Sequence, residues 1–123
     1  MAAISDAEWV FLDLLWKHKE LTITQMEQML KEDRGWSKHA IISFLKKMES
    51  KGLVQYRMAG KAKAFYTPLK QEEVRKKESI GFLEKVFQGK LGLMVSSLVE
   101  ETCLEEEEID ELMSILEQKR EEQ

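Results

Sequence analysis

The stretch RGWSKHAIISFLKKMESKGLV, residues 34–54, decides the fold, because it reads as one amphipathic helix with both of its ends marked. Ser37 has the form of an N-cap, a residue whose side-chain oxygen accepts a free backbone N–H of the first turn. Ile41, Phe44, Leu45 and Met48 follow at i, i+3, i+4 and i+7, the spacing of a single buried stripe. Gly52 falls where a helix ends on a left-handed residue. Projected at about 100° per residue, His39, Ser43, Lys46 and Ser50 lie opposite the stripe, with Ile42 and Lys47 on its flanks. The outward face is small, polar and cationic.

Two helix starts precede this segment. Ser5-Asp6-Ala7-Glu8 and Thr22-Ile23-Thr24-Gln25 both have the capping-box form, with Ile4 and Trp9, then Leu21 and Met26, placed as hydrophobic staples. The first helix is predicted to bury Ala7, Val10, Phe11, Leu14 and Leu15 and to leave Asp6, Asp13 and Lys17 to water. The second is predicted to run to about Asp33 and to bury Ile23, Met26, Met29 and Leu30. After Gly52 the period changes to two. Leu53–Met58 and Lys63–Thr67, rich in β-branched and aromatic residues, flank Ala59-Gly60-Lys61-Ala62 and predict a β-hairpin with a basic tip. Three short helices followed by a hairpin make a winged-helix arrangement, so the fold class is mainly α with a small β-hairpin.

The charge divides the chain at about the same place as the fold. Residues 1–70 carry 12 Lys+Arg against 8 Asp+Glu, a net +4; residues 71–123 carry 7 against 15, a net −8. The overall −4 is the sum of two unlike halves, predicted as a winged-helix domain over 1–70 and a helical domain over 71–123. In the second half Ile80, Leu83, Val86 and Phe87 form one apolar stripe, Met94, Val95, Leu98 and Val99 a second, and Ile109, Leu112, Met113 and Leu116 a third. So short a set of helices cannot enclose a core alone. A second copy of the chain is the economical partner for these faces, which makes a homodimer the expectation.

The 123 residues suit about one domain by length, and no apolar run approaches the roughly 20 residues that span a bilayer. The opening MAAISDAEW lacks the basic and apolar regions of a signal peptide, so no membrane insertion and a cytoplasmic location are expected. Cys103 is the only cysteine, which rules out an internal disulfide and a thiolate metal cage; with no activating neighbour it is expected to pack. Trp9, Trp16 and Trp36 each stand beside a helix start or apolar stripe and are read as core or core-edge packing rather than ligand stacking. Glu105–Glu108 suits a helix N-terminus. No nucleophile has an evident base, His18 and His39 lie on different elements, and no phosphate loop or His/Cys cluster appears. Neither an enzyme nor a cofactor is implied.

A helix-turn-helix protein places such an outward face in the major groove of double-stranded DNA, with lysines meeting phosphates. The candidate DNA-binding residues are Ser37, Lys38, His39, Ala40, Ile42, Ser43, Lys46 and Lys47 on the helix, and Arg57, Lys61 and Lys63 on the wing. His39 reads equally as a base or phosphate contact and as a surface histidine. A second reading takes the same surface, with its outward Ile42, as a protein-interaction module whose acidic tail is a docking surface.

The chain resembles the penicillinase-repressor family, which includes methicillin-resistance regulators and copper-responsive repressors. The resemblance is carried by ISDAEWVFLDLLW at 4–16, Thr22, Trp36-Ser37, Lys51-Gly52-Leu53, Phe65-Tyr66-Thr67-Pro68, FLEKVFQGKLGLMVSSLVE at 82–100 and EEIDELMSIL at 107–116. It implies a dimeric winged-helix repressor that binds a palindromic operator through its N-terminal domains and dimerises through its C-terminal helices. Three parts of the chain depart from the family pattern. Ala40 and Ile42 stand where members similar to the methicillin regulators have a threonine and an arginine. Ser97-Leu98 stands at the Asn-Phe bond whose cleavage, in β-lactam-responsive members, follows signalling by a membrane sensor protease; the resemblance makes it the possible cleavage position and such a protease a possible partner, at a bond that differs in both residues. Cys103 stands alone where copper-responsive members have paired CxC motifs.

Overall fold

The computed structural model describes residues 4–123. Its elements are α1 (Asp6–His18), β1 (Leu21–Thr22), α2 (Ile23–Leu30), α3 (Lys38–Ser50), β2 (Gln55–Ala59), β3 (Ala62–Tyr66), α4 (Gln71–Phe87), α5 (Leu91–Glu101) and α6 (Glu106–Glu122). They form two compact units, one ending at Arg75 and the other spanning Lys76–Gln123.

The first unit is a winged helix. Both capping boxes are closed: Ser5 Oγ accepts the Glu8 N–H at 3.2 Å while Glu8 accepts the Ser5 N–H at 2.9 Å, and Thr22 and Gln25 repeat the same pair of distances. Ser37 Oγ accepts the Ala40 N–H at 3.2 Å and starts α3. At the other end of α3, Gly52 adopts φ +78°. Its N–H reaches the Glu49 carbonyl at 3.0 Å, and the Leu53 N–H reaches Met48 at 2.9 Å. This paired closure satisfies carbonyls that the helix leaves free, and it lays Leu53 against Met48, both buried.

The wing is a two-residue hairpin with Ala59 opposite Ala62, and Gly60 at φ +67° supplies the positive first turn position of a type II′ turn. The β2 strand begins at Gln55; Leu53 and Val54, predicted as strand, instead enter the core directly after α3. The structure adds a third strand. Leu21 and Thr22 pair antiparallel with Phe65 and Ala64, giving the sheet order β1-β3-β2. Leu21 therefore serves both as a strand residue and as part of the core, and the wing is tied to the segment between α1 and α2.

The core gathers Phe11, Leu12 and Leu15 of α1, Met26 and Leu30 of α2, and Ile41, Leu45 and Met48 of α3, closed by Leu21, Leu53, Val54 and Phe65. Burying each such side chain contributes about 1.5–3 kcal/mol. The stripe on α1 differs from the predicted one: Glu8, Phe11, Leu12 and Leu15 are buried, and Ala7, Val10 and Leu14 lie at the edge. The cause is the carboxylate at position 8, which occupies the inward row and is neutralised there by Lys51. The second helix stops at Leu30, short of Asp33, because Gly35 at φ +63° folds back to bond the Leu30 carbonyl; Met29 is left exposed.

The three tryptophans pack as expected. Trp36 stacks on Phe11 with centroids 5.4 Å apart and meets Phe44 at 5.0 Å. Trp9 and Trp16 lie 6.1 Å apart, and Trp16 Nε1 donates to the Leu69 carbonyl at 2.9 Å. That bond, with Thr67 Oγ1 donating to Leu53 at 2.7 Å, carries the ordered chain past Pro68 to the buried Val74.

In the second unit the left-handed Gln88 and Gly89, at φ 50° and 80°, separate α4 from α5. Glu105 precedes α6 without a side-chain cap. Among the described residues none of Lys76–Gln123 is buried. Leu98, Met113 and Leu116 are 56%, 60% and 64% exposed. A groove of about 480 Å³, lined by Val95, Leu98, Val99, Leu104 and Leu112 together with Glu108 and Glu111, runs between α5 and α6. Cys103 is exposed rather than packed, because it lies in the extended link between these two helices. No helix is long and apolar enough to cross a membrane among the described residues.

Candidate nucleic-acid interface

The outward surface of α3 follows from what its inward surface must do. With Ile41, Leu45 and Met48 fixed in the core and Phe44 packed against both Phe11 and Trp36, helical geometry turns Lys38, His39, Ser43, Lys46 and Lys47 outward, and all five are exposed. Ala40 and Ile42 are half-buried, so Ile42 is less open than its flank position predicted. Ser37 is also exposed, but its hydroxyl oxygen is already an acceptor for the Ala40 N–H.

The fold brings the start of α3 beside the wing. Lys38 and Lys63 line one hollow together with Ala62, Thr22, Ile23 and Thr24. Thr22 and Thr24, at the N-terminal end of α2, did not emerge as site residues from the sequence, although free N–H groups at a helix start favour a phosphate. Their signal was the capping box itself. On the opposite flank Ala40, Ser43, Phe44 and Lys47 line a second, mainly apolar hollow.

The wing cations are in unlike states. Lys61 stands exposed at the turn. Lys63, an exposed residue, holds its Nζ 4.4 Å from the centroid of the Tyr56 ring in a cation–π contact. Arg57, predicted to be available to a DNA backbone, is occupied instead: its guanidinium grips Glu20, with Nε donating to Oε2 at 2.8 Å and a terminal nitrogen donating to Oε1. Hydrogen bonding to Arg57 holds the Glu20 carboxyl below its usual value and raises the guanidinium. The sequence concealed this pair because the partners are 37 residues apart and meet only once β1 has joined the sheet.

A sequence model described as penicillinase repressor matches residues 4–118. The chain belongs to the penicillinase repressor family. Over 116 residues, covering 94% of each chain, it is 28% identical to the methicillin resistance regulatory protein MecI of Staphylococcus aureus. It is 29% identical over 115 residues to the penicillinase repressor of Bacillus licheniformis, covering 94% of this chain and 90% of that one. Among solved structures, the DNA binding domain of the repressor BlaI aligns with a TM-score of 0.51 at 22% identity, covering 59% of this chain and 93% of that chain. The monomeric form of Bacillus licheniformis BlaI in complex with the blaP half-operator aligns at 0.52 and 22%, covering 58% and 88%. These likenesses establish the winged-helix fold of the first unit.

Proposed function

We propose that the protein is a transcriptional repressor that binds double-stranded DNA as a homodimer on a palindromic operator, its N-terminal unit occupying a half-site and its C-terminal unit holding the two copies together. The observation that carries this reading is the row of outward cations on α3, continued across Lys38 and Lys63 onto the wing, on a rigidly packed winged-helix core. Membership of the repressor family supports it. In this arrangement α3 enters the major groove, Lys46 and Lys47 meet phosphates, and Lys61 and Lys63 of the wing reach the backbone beside the groove. The exposed apolar faces of α5 and α6 support the dimer, since monomers rarely leave so extended an apolar surface to water.

The test is selection of duplexes from a random pool by the purified full chain, followed by titration of the winning site at several salt concentrations. An inverted repeat whose affinity falls steeply with salt is expected, and Lys46→Ala should weaken all sequences alike while lowering the salt slope by about one. Recovery of no preferred sequence at moderate salt would overturn the proposal.

A further inference from the structure

Discrimination among bases in the major groove normally rests on forked donors: arginine or lysine on guanine, asparagine or glutamine on adenine. Lys38–Ser50 contains no arginine, asparagine or glutamine. Its three lysines are poorly placed for the role. Lys38 belongs to the hollow shared with Thr24 and Lys63, and Lys46 and Lys47 stand in the third turn, whereas base edges are reached from the N-terminal part of such a helix. The residues left to face bases are His39, Ala40, Ile42 and Ser43, and two of these four are apolar.

Those two are presented on fixed surfaces. Ala40 opens one flank of α3 onto a mainly apolar hollow floored by Phe44, whose ring is held 5.6 Å from Phe11 and 5.0 Å from Trp36. Ser43 and Lys47 border the hollow, so a cation that suits phosphate stands beside an apolar recess. Ile42, on the other flank, is half-buried yet, among the described residues, belongs neither to the core cluster nor to the side chains packed against it. The apolar group that double-stranded DNA offers in the major groove is the C5-methyl of thymine.

We propose that this chain recognises its half-site through thymine methyl groups, one seated in the Ala40–Phe44 hollow and one packed on Ile42, with phosphate contacts by the surrounding lysines fixing the register. The inference rests on the repressor reading above and deepens it: sequence would be read by apolar contact rather than by the guanine edge. Ser43 and His39 supply the hydrogen bonds that accompany it.

The experiment uses the full chain and the duplex recovered by selection. Each thymine is replaced singly by deoxyuridine, which keeps every hydrogen-bonding group and removes only the methyl. Loss of one buried methyl should weaken binding about fourfold. This loss is expected at one or two positions per half-site. Ile42→Ala should abolish the penalty at one such position while leaving the other, and Ile42→Val, which keeps a branched apolar contact, should retain it. Ala40→Ser should abolish the penalty at the second position and leave the Ile42-linked one intact. Specific binding that is indifferent to uracil at every position would overturn the methyl reading and leave the repressor reading standing. The methyl reading also fails if the uracil penalty persists unchanged in both Ile42→Ala and Ala40→Ser. Failure to recover any preferred duplex would overturn both.

Discussion

Lys51, the residue that caps the C-terminus of α3, donates through Nζ to both carboxylate oxygens of Glu8 at 2.8 and 3.0 Å, and Glu8 is only 2% exposed in the first turn of α1. One carboxylate thus completes the N-terminal capping box of α1 and fixes the far end of the helix proposed to read DNA. Its two oxygens are shared between the Ser5 N–H and the lysine, and no buried side-chain polar atom among the described residues lacks a partner.

Breaking that pair is expected to be costly and asymmetric. Lys51→Met leaves a buried carboxylate without its counter-charge and should destabilise by about 3 kcal/mol, the lower end for such a loss because the lysine side chain is 27% exposed. Glu8→Gln leaves a lysine that can turn to water and should cost less. Urea denaturation midpoints of the two variants check the order.

The same pair gives the stability a pH dependence. Burial pushes the Glu8 carboxyl up, but the hydrogen bond and charge of Lys51, with the bonds from Ser5, outweigh it and hold the carboxyl below 4.5. A carboxyl lowered on folding adds stability above its unfolded value, and that contribution disappears as pH falls through the lowered folded value. The stability gap between the natural chain and Glu8→Gln should therefore be widest near neutrality and shrink with acidification below about 4.5. A gap that is constant across this range would mean that ionisation of Glu8 contributes nothing.

Gly52→Ala tests the end of α3 without touching its neighbours. A Cβ there would meet no atom within 4 Å, so the whole effect comes from holding alanine at φ +78°. A loss of about 1 kcal/mol is expected, read as a lowered unfolding midpoint.

Glu20 restrains a cation that would otherwise be free to meet a phosphate. Glu20→Gln should weaken its hold on Arg57, raise DNA affinity at low salt and steepen the salt dependence by about one counterion. Fluorescence anisotropy titrations at three salt concentrations are sufficient. An unchanged slope would mean that Arg57 lies away from the nucleic acid.

Placing a charge on the apolar surface of the second unit should separate the copies. Leu98→Lys or Leu116→Lys, at side chains more than half exposed in the single chain, is expected to convert the proposed dimer to a monomer in sedimentation velocity and to weaken the proposed operator binding while leaving the first unit folded. A variant that remains dimeric would relocate the contact.

Helix starts, the α3 stripe, Gly52 and the hairpin are legible in the sequence because each is a local device, set by a cap, a period or a positive φ within a few residues. What the sequence conceals is non-local. Glu8 reads as a capping residue and nothing more, since its partner stands 43 residues later; without that partner Leu12 drops out of the predicted stripe. β1 is two residues long, too short for any period to announce it. The outward lysines of α3 are recognisable once the stripe is known, whereas the capture of Arg57 by Glu20 and the placing of Lys38 and Lys63 on one hollow depend on the third strand. Cys103 departs from expectation because exposure of an inter-helix link has no signature in its own residue type.

The pairing of Leu21 with Phe65 and Thr22 with Ala64 also sets where the chain can change its length. Lys19, at φ 72°, and Glu20 are all that separate α1 from β1, so one added residue there would shift the register and turn Leu21 out of the core. The turn at 31–35 carries no strand and is exposed throughout. Insertions within this fold should therefore gather ahead of α3 and be missing ahead of β1, an asymmetry that a library of single-residue insertions sorted for folded protein would display directly.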